Sequence, residues 1–262
     1  MRLSKAFSLL GDLSWAIRVA LPPTLRDISR KPLLLLYPAK VSRLFMSHVW
    51  AFFGGPSDEN GREVKNGLIK QHAHGTVLDI GAGHGHTAYY LDKTQVTRYV
   101  ALEPNTHMHD EIRKNANAAG FYEHTGTLLV LALGAEETGL ITSALGGPHT
   151  VDTLVSILTL CSVPTPETII PVLIEQILKP GGMMLYFEHV RNPRKDVAWW
   201  QWFWTPLWRL VWDGCSLDRP TNVLVEGLGV WDQQEIGWLE GEDPDHLFLH
   251  SIGQLRKARG YE

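Results

Sequence analysis

Cysteine is scarce in this 262-residue chain, with Cys161 and Cys215 alone present. Two thiols cannot frame a disulfide-stapled fold of this size, so they read as free thiols in a reducing compartment. Long apolar runs are also missing. The best, LLLLY at 33 to 37, is closed by Pro32 and Pro38 and falls far short of the ~18 residues that span a bilayer. The opening, MRLSKAFSLLGDLSWAIRVALPP, is broken by Gly11, Asp12 and Arg18, which argues against a cleaved secretory signal; its cationic start leaves a mitochondrial presequence open. No overall positive charge exists: the net charge is -4 and the pI about 6.3. Nothing global therefore suggests the basic surface a nucleic acid requires, and no such partner is expected. The histidine pairs HAH at 72 to 74 and HMH at 107 to 109 lack cysteine or acid partners at metal-ligand spacing, so no metal is expected.

What is present is enough apolar residue, 44%, for one large core with appendages or at most two domains. Charge is unevenly spread. Residues 1–47 carry eight Lys or Arg against Asp12 and Asp27, a local charge of +6, and the remainder, with 16 basic and 26 acidic side chains, stands at -10. Leu10, Leu13, Ile17 and Leu21 share one helical face, so residues 8–21 read as an amphipathic helix that Pro22 and Pro23 should stop. A second helix is expected after Pro38, then a loop at GGPSDENG and a short helix around 62–71. Residues 1–70 thus form a helical arm or lid, and 71–262 the main domain with a tryptophan-rich insertion at 191–220.

From Thr76 the texture alternates. TVLDIG (76–81), RYVALE (98–103), TLLVLAL (127–133), VDTLVSI (151–157) and MMLYFEHV (183–190) read as strands, with helices at 86–92, 106–119 and 167–178, the last ended by Pro180, Gly181 and Gly182. Strands alternating with helices imply parallel pairing through right-handed crossovers. The expected fold is α/β: a doubly wound, Rossmann-like, mostly parallel seven-stranded sheet with helices on both faces.

In such a sheet the ligand lies beyond the carboxyl ends of the strands, where VLDIGAGHGH (77–86) places its glycines. The dinucleotide pattern wants a third glycine five residues after Gly81; that position is His86, and Gly85 falls one place early. No G-K-[ST] follows, so this is not a phosphate loop. Asp79, Glu103 and Glu136 gather acids at adjacent strand ends. They would repel a pyrophosphate but suit a ligand with an ammonium, a sulfonium, a ribose diol and an adenine amine, which together describe S-adenosylmethionine.

These motifs resemble class I S-adenosylmethionine-dependent methyltransferases: VLDIGAGHGH their first motif, VALEPN their second, GAEE their adenine-side loop and ILKPGGMMLYFE their last. Within them, LTLCSV, FEHV and WDGCSL are most similar to the methyltransferase-like alkyl-thiol group, over about residues 75–217. The resemblance implies that Asp79 orients the methionine amine, Gly81 and Gly83 carry the backbone beneath it, Glu103 holds the ribose, and Glu136, or its neighbour Glu137, lies by the adenine. Pro104 and Ser156 complete the cofactor set. The plain alternative makes each acid a strand-end cap.

Methyl transfer from a sulfonium needs alignment and exclusion of water more than acid–base chemistry. A thiol acceptor asks only for modest deprotonation, which a histidine near neutral pH can supply. His189, just after the fifth strand in EHV, is the candidate base, with a structural histidine as the competing reading; Asp213, with Cys215, is expected to close the site, and Cys161 reads as a buried packing residue. Trp200, Trp204, Trp208 and Trp212 step along one helical face bent at Pro206. That stripe is a packed lid, an apolar acceptor pocket or an interfacial membrane face. The expected function is therefore methyl transfer to a small apolar acceptor such as a thiol. An O- or C-methyltransferase of a quinone or secondary metabolite, and a non-catalytic cofactor-binding protein, stand as alternatives. The expected place is the cytoplasm, the basic arm being either a lid or a peripheral contact with an intracellular membrane. Nothing in the sequence fixes an oligomeric state.

Overall fold

The computed structural model describes residues 1–260, so the last two residues of the 71–262 span lie outside the described residues. Seven strands, β1 Gly75–Ile80, β2 Val96–Leu102, β3 Leu128–Leu131, β4 Val151–Ile157, β5 Leu178–Val190, β6 Trp231–Trp238 and β7 Leu249–Lys257, form one sheet in the order β3-β2-β1-β4-β5-β7-β6. β1 to β5 pair in parallel, and β7 runs antiparallel between β5 and β6. Strands buried on both faces need continuous apolar runs, which is why VLDI and MMLYFEHV were legible while the exposed β6 was not.

The helices are α1 Leu3–Ala6, α2 Leu9–Arg30, α3 Pro38–Asn60, α4 Arg62–Lys65, α5 His109–Ala118, α6 Thr138–Leu145, α7 Pro166–Val172, α8 Lys195–Val211 and α9 Thr221–Glu226. Period-two alternation sends Leu78 and Val100 to one face, where α6, α7 and α9 cover them through Ile141, Ile170 and Val225. It sends Val77 and Tyr99 to the other, where α5 and the turn at Asn66–Lys70 supply Ile112, Ala116 and Ile69.

The arm departs from expectation twice. Pro22 and Pro23 do not stop α2, which runs on to Arg30. Proline forfeits its own N–H bonds, but the face carrying Leu9, Ala16, Ala20 and Thr24 stays buried across the break, and tertiary packing outweighs the local cost. Likewise GGPSDENG is not a loop, since α3 continues through Gly54, Gly55 and Pro56 to Asn60. Gly54 packs tightly there: a Cβ on it would lie 3.1 Å from Trp50 Nε1 and 3.4 Å from His86 Cε1.

Two further helices are shorter than expected. The segment after the glycine loop is one 3-10 turn, His86–Tyr90, and 106–119 begins with a 3-10 turn before α5.

The tryptophan stripe is core. Trp204, Trp208 and Trp212 join Leu9, Ala16, Ala20 and Val49 in a third cluster that docks the arm on α8. Trp204 Nε1 donates to the Ala6 carbonyl at 2.7 Å. Gln201 pins α8 to the end of β5, donating to the carbonyls of Val190 and Leu247 at 3.0 and 2.9 Å.

Candidate active site

β1 ends at Ile80 and the chain turns sharply through the glycine loop. Gly81 and Gly83 both adopt left-handed φ, +65° and +55°, which costs a residue with a Cβ. Space is equally restrictive: a Cβ on Gly81 would fall 2.3 Å from Thr159 Cγ2, and one on Gly83 2.8 Å from Trp50 Nε1. Backbone is thereby bared to a narrow cleft lined by Trp50, Asp79, Gly81, Thr87, Leu158 and Phe187, among others.

Two carboxylates lie at this loop, both buried. Asp79, near the end of β1, accepts a hydrogen bond from Tyr99 Oη at 2.8 Å. Burial pushes it up to about 6, opposed by the Tyr99 and Thr87 hydrogen bonds and by nearby Lys65. Glu103, just past β2, accepts from Gly83 N through Oε2 and Asn105 N through Oε1, each at 2.8 Å. Burial pushes it up to about 7 despite those two donors, with Asp213 and Asp79 adding repulsion. Lys65, itself buried, is held by Asp58, which also accepts from Tyr90 Oη at 3.0 Å. Buried acids whose charged forms are under-compensated favour a cationic ligand.

The remaining predicted residues are spread around this centre. Pro104 follows Glu103 and is half-buried. Ser156 is fully buried, and its hydroxyl donates to Glu188 Oε1 at 2.7 Å; its neighbours Ile157 and Leu158 line the cleft instead. Glu136 is exposed beside Gly134, and Glu137 accepts from Gly134 N at 2.8 Å. Asp213 adopts φ +44°; burial raises its carboxyl and Arg43 opposes the rise. His189 is buried, with Nε2 3.2 Å from Cys215 Sγ. Phe187, two residues earlier on β5, lines the cleft, so His189 stands on the same face one step further out.

Sequence reasoning missed Trp50, Asp58, Lys65 and Thr87. Trp50 is the informative omission, because its Nε1 is buried with no hydrogen-bond partner among the described residues. The arm is also tied to the second strand's loop, with Asn105 Nδ2 donating to the Arg43 carbonyl at 2.8 Å. A bared glycine backbone, an orphaned indole N–H and two buried acids fit an adenosyl group bearing cationic charge.

Residues 47–225 match the family described as a methyltransferase domain. Thiol S-methyltransferase TMT1B of Rattus norvegicus is 31% identical over 190 residues, 70% of this chain and 70% of that one. An O-methyltransferase family protein from Burkholderia thailandensis superposes with a TM-score of 0.59 at 14% identity, covering 84% of this chain and 60% of that one. N-methyltransferase NodS from Bradyrhizobium japonicum, solved with S-adenosyl-L-homocysteine, gives 0.52 at 13% identity, covering 76% and 86%. At such identities the two structures speak for the fold alone.

Proposed function

The chain belongs to the methyltransferase-domain family, an enzyme that takes its methyl group from S-adenosylmethionine, and from that premise we propose that its acceptor is a small apolar thiol. The observation that carries the acceptor is the 70% coverage at 31% identity of a rat relative named for thiol methylation. In this reading Asp79 faces the donor's ammonium and Glu103 its ribose diol, while Gly81 and Gly83 give it their backbone. Pro104, Ser156 and Glu136 flank the adenosyl group. Trp50 closes the cleft from the arm. Thiol activation falls to His189 and closure to Asp213, on the turn that also presents Cys215. Incubation with labelled S-adenosylmethionine and a panel of thiols, phenols and amines tests the acceptor: thioether products support it, and methylated phenols or amines alone overturn it.

The reading of place is a cytoplasmic enzyme whose arm touches an intracellular membrane surface. No helix among the described residues is long and apolar enough to cross a membrane. Support comes from Leu33 and Leu36, 71% and 70% exposed between α2 and α3, and from Trp202 of α8 at 61%. Phe7 stacks edge-on to Trp200 and Trp204, so the arm and α8 share a border. Each of the arm's cations would add roughly 1 kcal/mol of attraction to anionic lipid. Co-sedimentation with anionic vesicles tests it; full-length protein left in the supernatant at low salt overturns it.

A further inference from the structure

Beyond the cleft, at the carboxyl ends of β4 and β5, three side chains from separated segments converge. Cys161 comes from the loop after β4, His189 from β5 and Cys215 from the turn after α8. Their ligand atoms all lie within 4.8 Å of one another. Backbone bonds brace the set, Ser216 N donating to the Cys161 carbonyl at 3.0 Å and Cys215 N to the Trp212 carbonyl at 2.9 Å. Cys161 and His189 are only 1% and 5% exposed. His189 Nδ1 is buried with no partner among the described residues, and its Nε2 has a sulfur as neighbour.

We propose that Cys161, His189 and Cys215 bind one zinc ion and leave its fourth position free. Zinc–sulfur and zinc–nitrogen bonds of about 2.3 and 2.1 Å place tetrahedral neighbours about 3.5 Å apart, close to the 3.2 Å between His189 Nε2 and Cys215 Sγ. Two sulfurs and an imidazole select a borderline-soft metal over magnesium or calcium. Charge points the same way, since two thiolates neutralise a divalent ion in a site where any one of these charges alone is costly. Cys215, only partly buried, offers access. The expectation of no metal considered only histidine pairs close in sequence, and this trio spans three segments.

A second trio, Glu242, His246 and His250, also lies within reach of a single ion, but its carboxylate is already taken. Glu242 Oε1 meets His250 Nδ1 at 2.6 Å and Oε2 accepts from His250 N at 2.8 Å. It serves as the internal control.

The consequence for catalysis rests on the thiol reading above. Three protein ligands leave one place, as in catalytic zinc sites, and a thiol bound there gives up its proton to solvent because a coordinating thiol is deprotonated. The thiolate sulfur then forms a bond to the donor's methyl carbon. The carbon–sulfonium bond breaks with its electron pair left on the donor sulfur, and a thioether and uncharged S-adenosylhomocysteine result. His189 acts here as a ligand and not as a free base.

The test is metal content of the full-length protein, loaded with zinc under mild reductant and desalted. About one zinc per chain is expected, lost in Cys215→Ser and His189→Gln but kept in Glu242→Gln. Cobalt substitution should give thiolate-to-cobalt charge-transfer absorption that the first two variants lack. Circular dichroism and S-adenosylmethionine binding, unchanged in Cys215→Ser, exclude misfolding as the cause. Absence of stoichiometric zinc in the wild type, or full zinc in both ligand variants, overturns the site. Chelation should abolish thiol methylation while donor binding persists. Undiminished turnover after zinc removal overturns the catalytic consequence. Methylation of phenols instead of thiols sinks the thiol reading while the zinc count still stands.

Discussion

The donor side and the acceptor side of this site are assembled by different means. Asp79, Gly81, Gly83 and Glu103 come from two adjacent strands and the loops that follow them, and they are linked directly by the Gly83 N to Glu103 bond at 2.8 Å. Cys161 and His189 follow the paired strands β4 and β5, and Cys215 joins them from the turn after α8. Both regions are buried, but the first uses oxygen and backbone, while the second is sulfur-rich and roofed by aromatic rings such as Phe248, 5.5 Å from His189. A local motif therefore gives the donor site its shape, and long-range packing gives the acceptor site its shape. Perturbing one should leave the other standing.

The hardest blow to the donor side is Gly81→Val. It forces a β-branched residue to φ +65° with its Cβ 2.3 Å from Thr159. Strain and overpacking together cost about 2 to 6 kcal/mol, so thermal unfolding should shift down and S-adenosylmethionine binding should vanish. Unaltered melting would mean that the loop is softer than its geometry implies.

Next in size is Glu103→Ala, which removes the ribose partner and leaves Gly83 N and Asn105 N unpaired. At ~1.5 to 3 kcal/mol for a charge-assisted bond, donor affinity should fall about tenfold or more by calorimetry. Zinc content should stay at the wild-type level, and its loss would couple two regions that should be separate.

On the acceptor side, His189→Ala should lower turnover about a hundredfold with donor affinity intact. Raising the pH should restore part of the rate, because the acceptor thiol then ionises unaided. Zinc content of the variant separates the roles: retained zinc marks His189 as a free base, and lost zinc marks it as a metal ligand.

The smallest effect is one of pH. Burial holds Asp79 at about 6 and Glu103 at about 7, above their usual 3.8 and 4.5. The folded chain thus binds protons more tightly than the unfolded one, so the stability these groups contribute is present below about pH 4 and lost as pH rises through about 7. The cationic donor favours the ionised forms, and its affinity should rise over the upper part of the same window. Unfolding midpoints measured from pH 5 to 8, with and without S-adenosylmethionine, should converge at low pH and separate at high pH. Glu103→Gln should flatten most of that separation.

Legibility followed the range of the forces involved. Strands β1, β2, β4 and β5 and the acids at their ends could be read, because a run buried on both faces is apolar whatever surrounds it and a strand end has a defined place in a parallel sheet. β6 went unread because it is exposed along nearly its whole length and carries no pattern, and β7 because its buried alternate positions include Ser251, Gly253 and Lys257, which give no apolar signal. Trp50 was invisible as a site residue because only the fold brings α3 against the glycine loop, where a Cβ on Gly83 would lie 2.8 Å from Trp50 Nε1.

By itself, the sequence determined the first five strands in chain order, the place of the glycine turn and the class of donor, properties set largely by neighbours a few residues apart. Tertiary structure alone decided that α2 passes through Pro22 and Pro23, that the tryptophan stripe is core, and that two cysteines and a histidine 54 residues apart at their extremes, 161 to 215, meet at one point. Those outcomes depend on which surfaces bury each other, and burial pairs residues without regard to their distance along the chain.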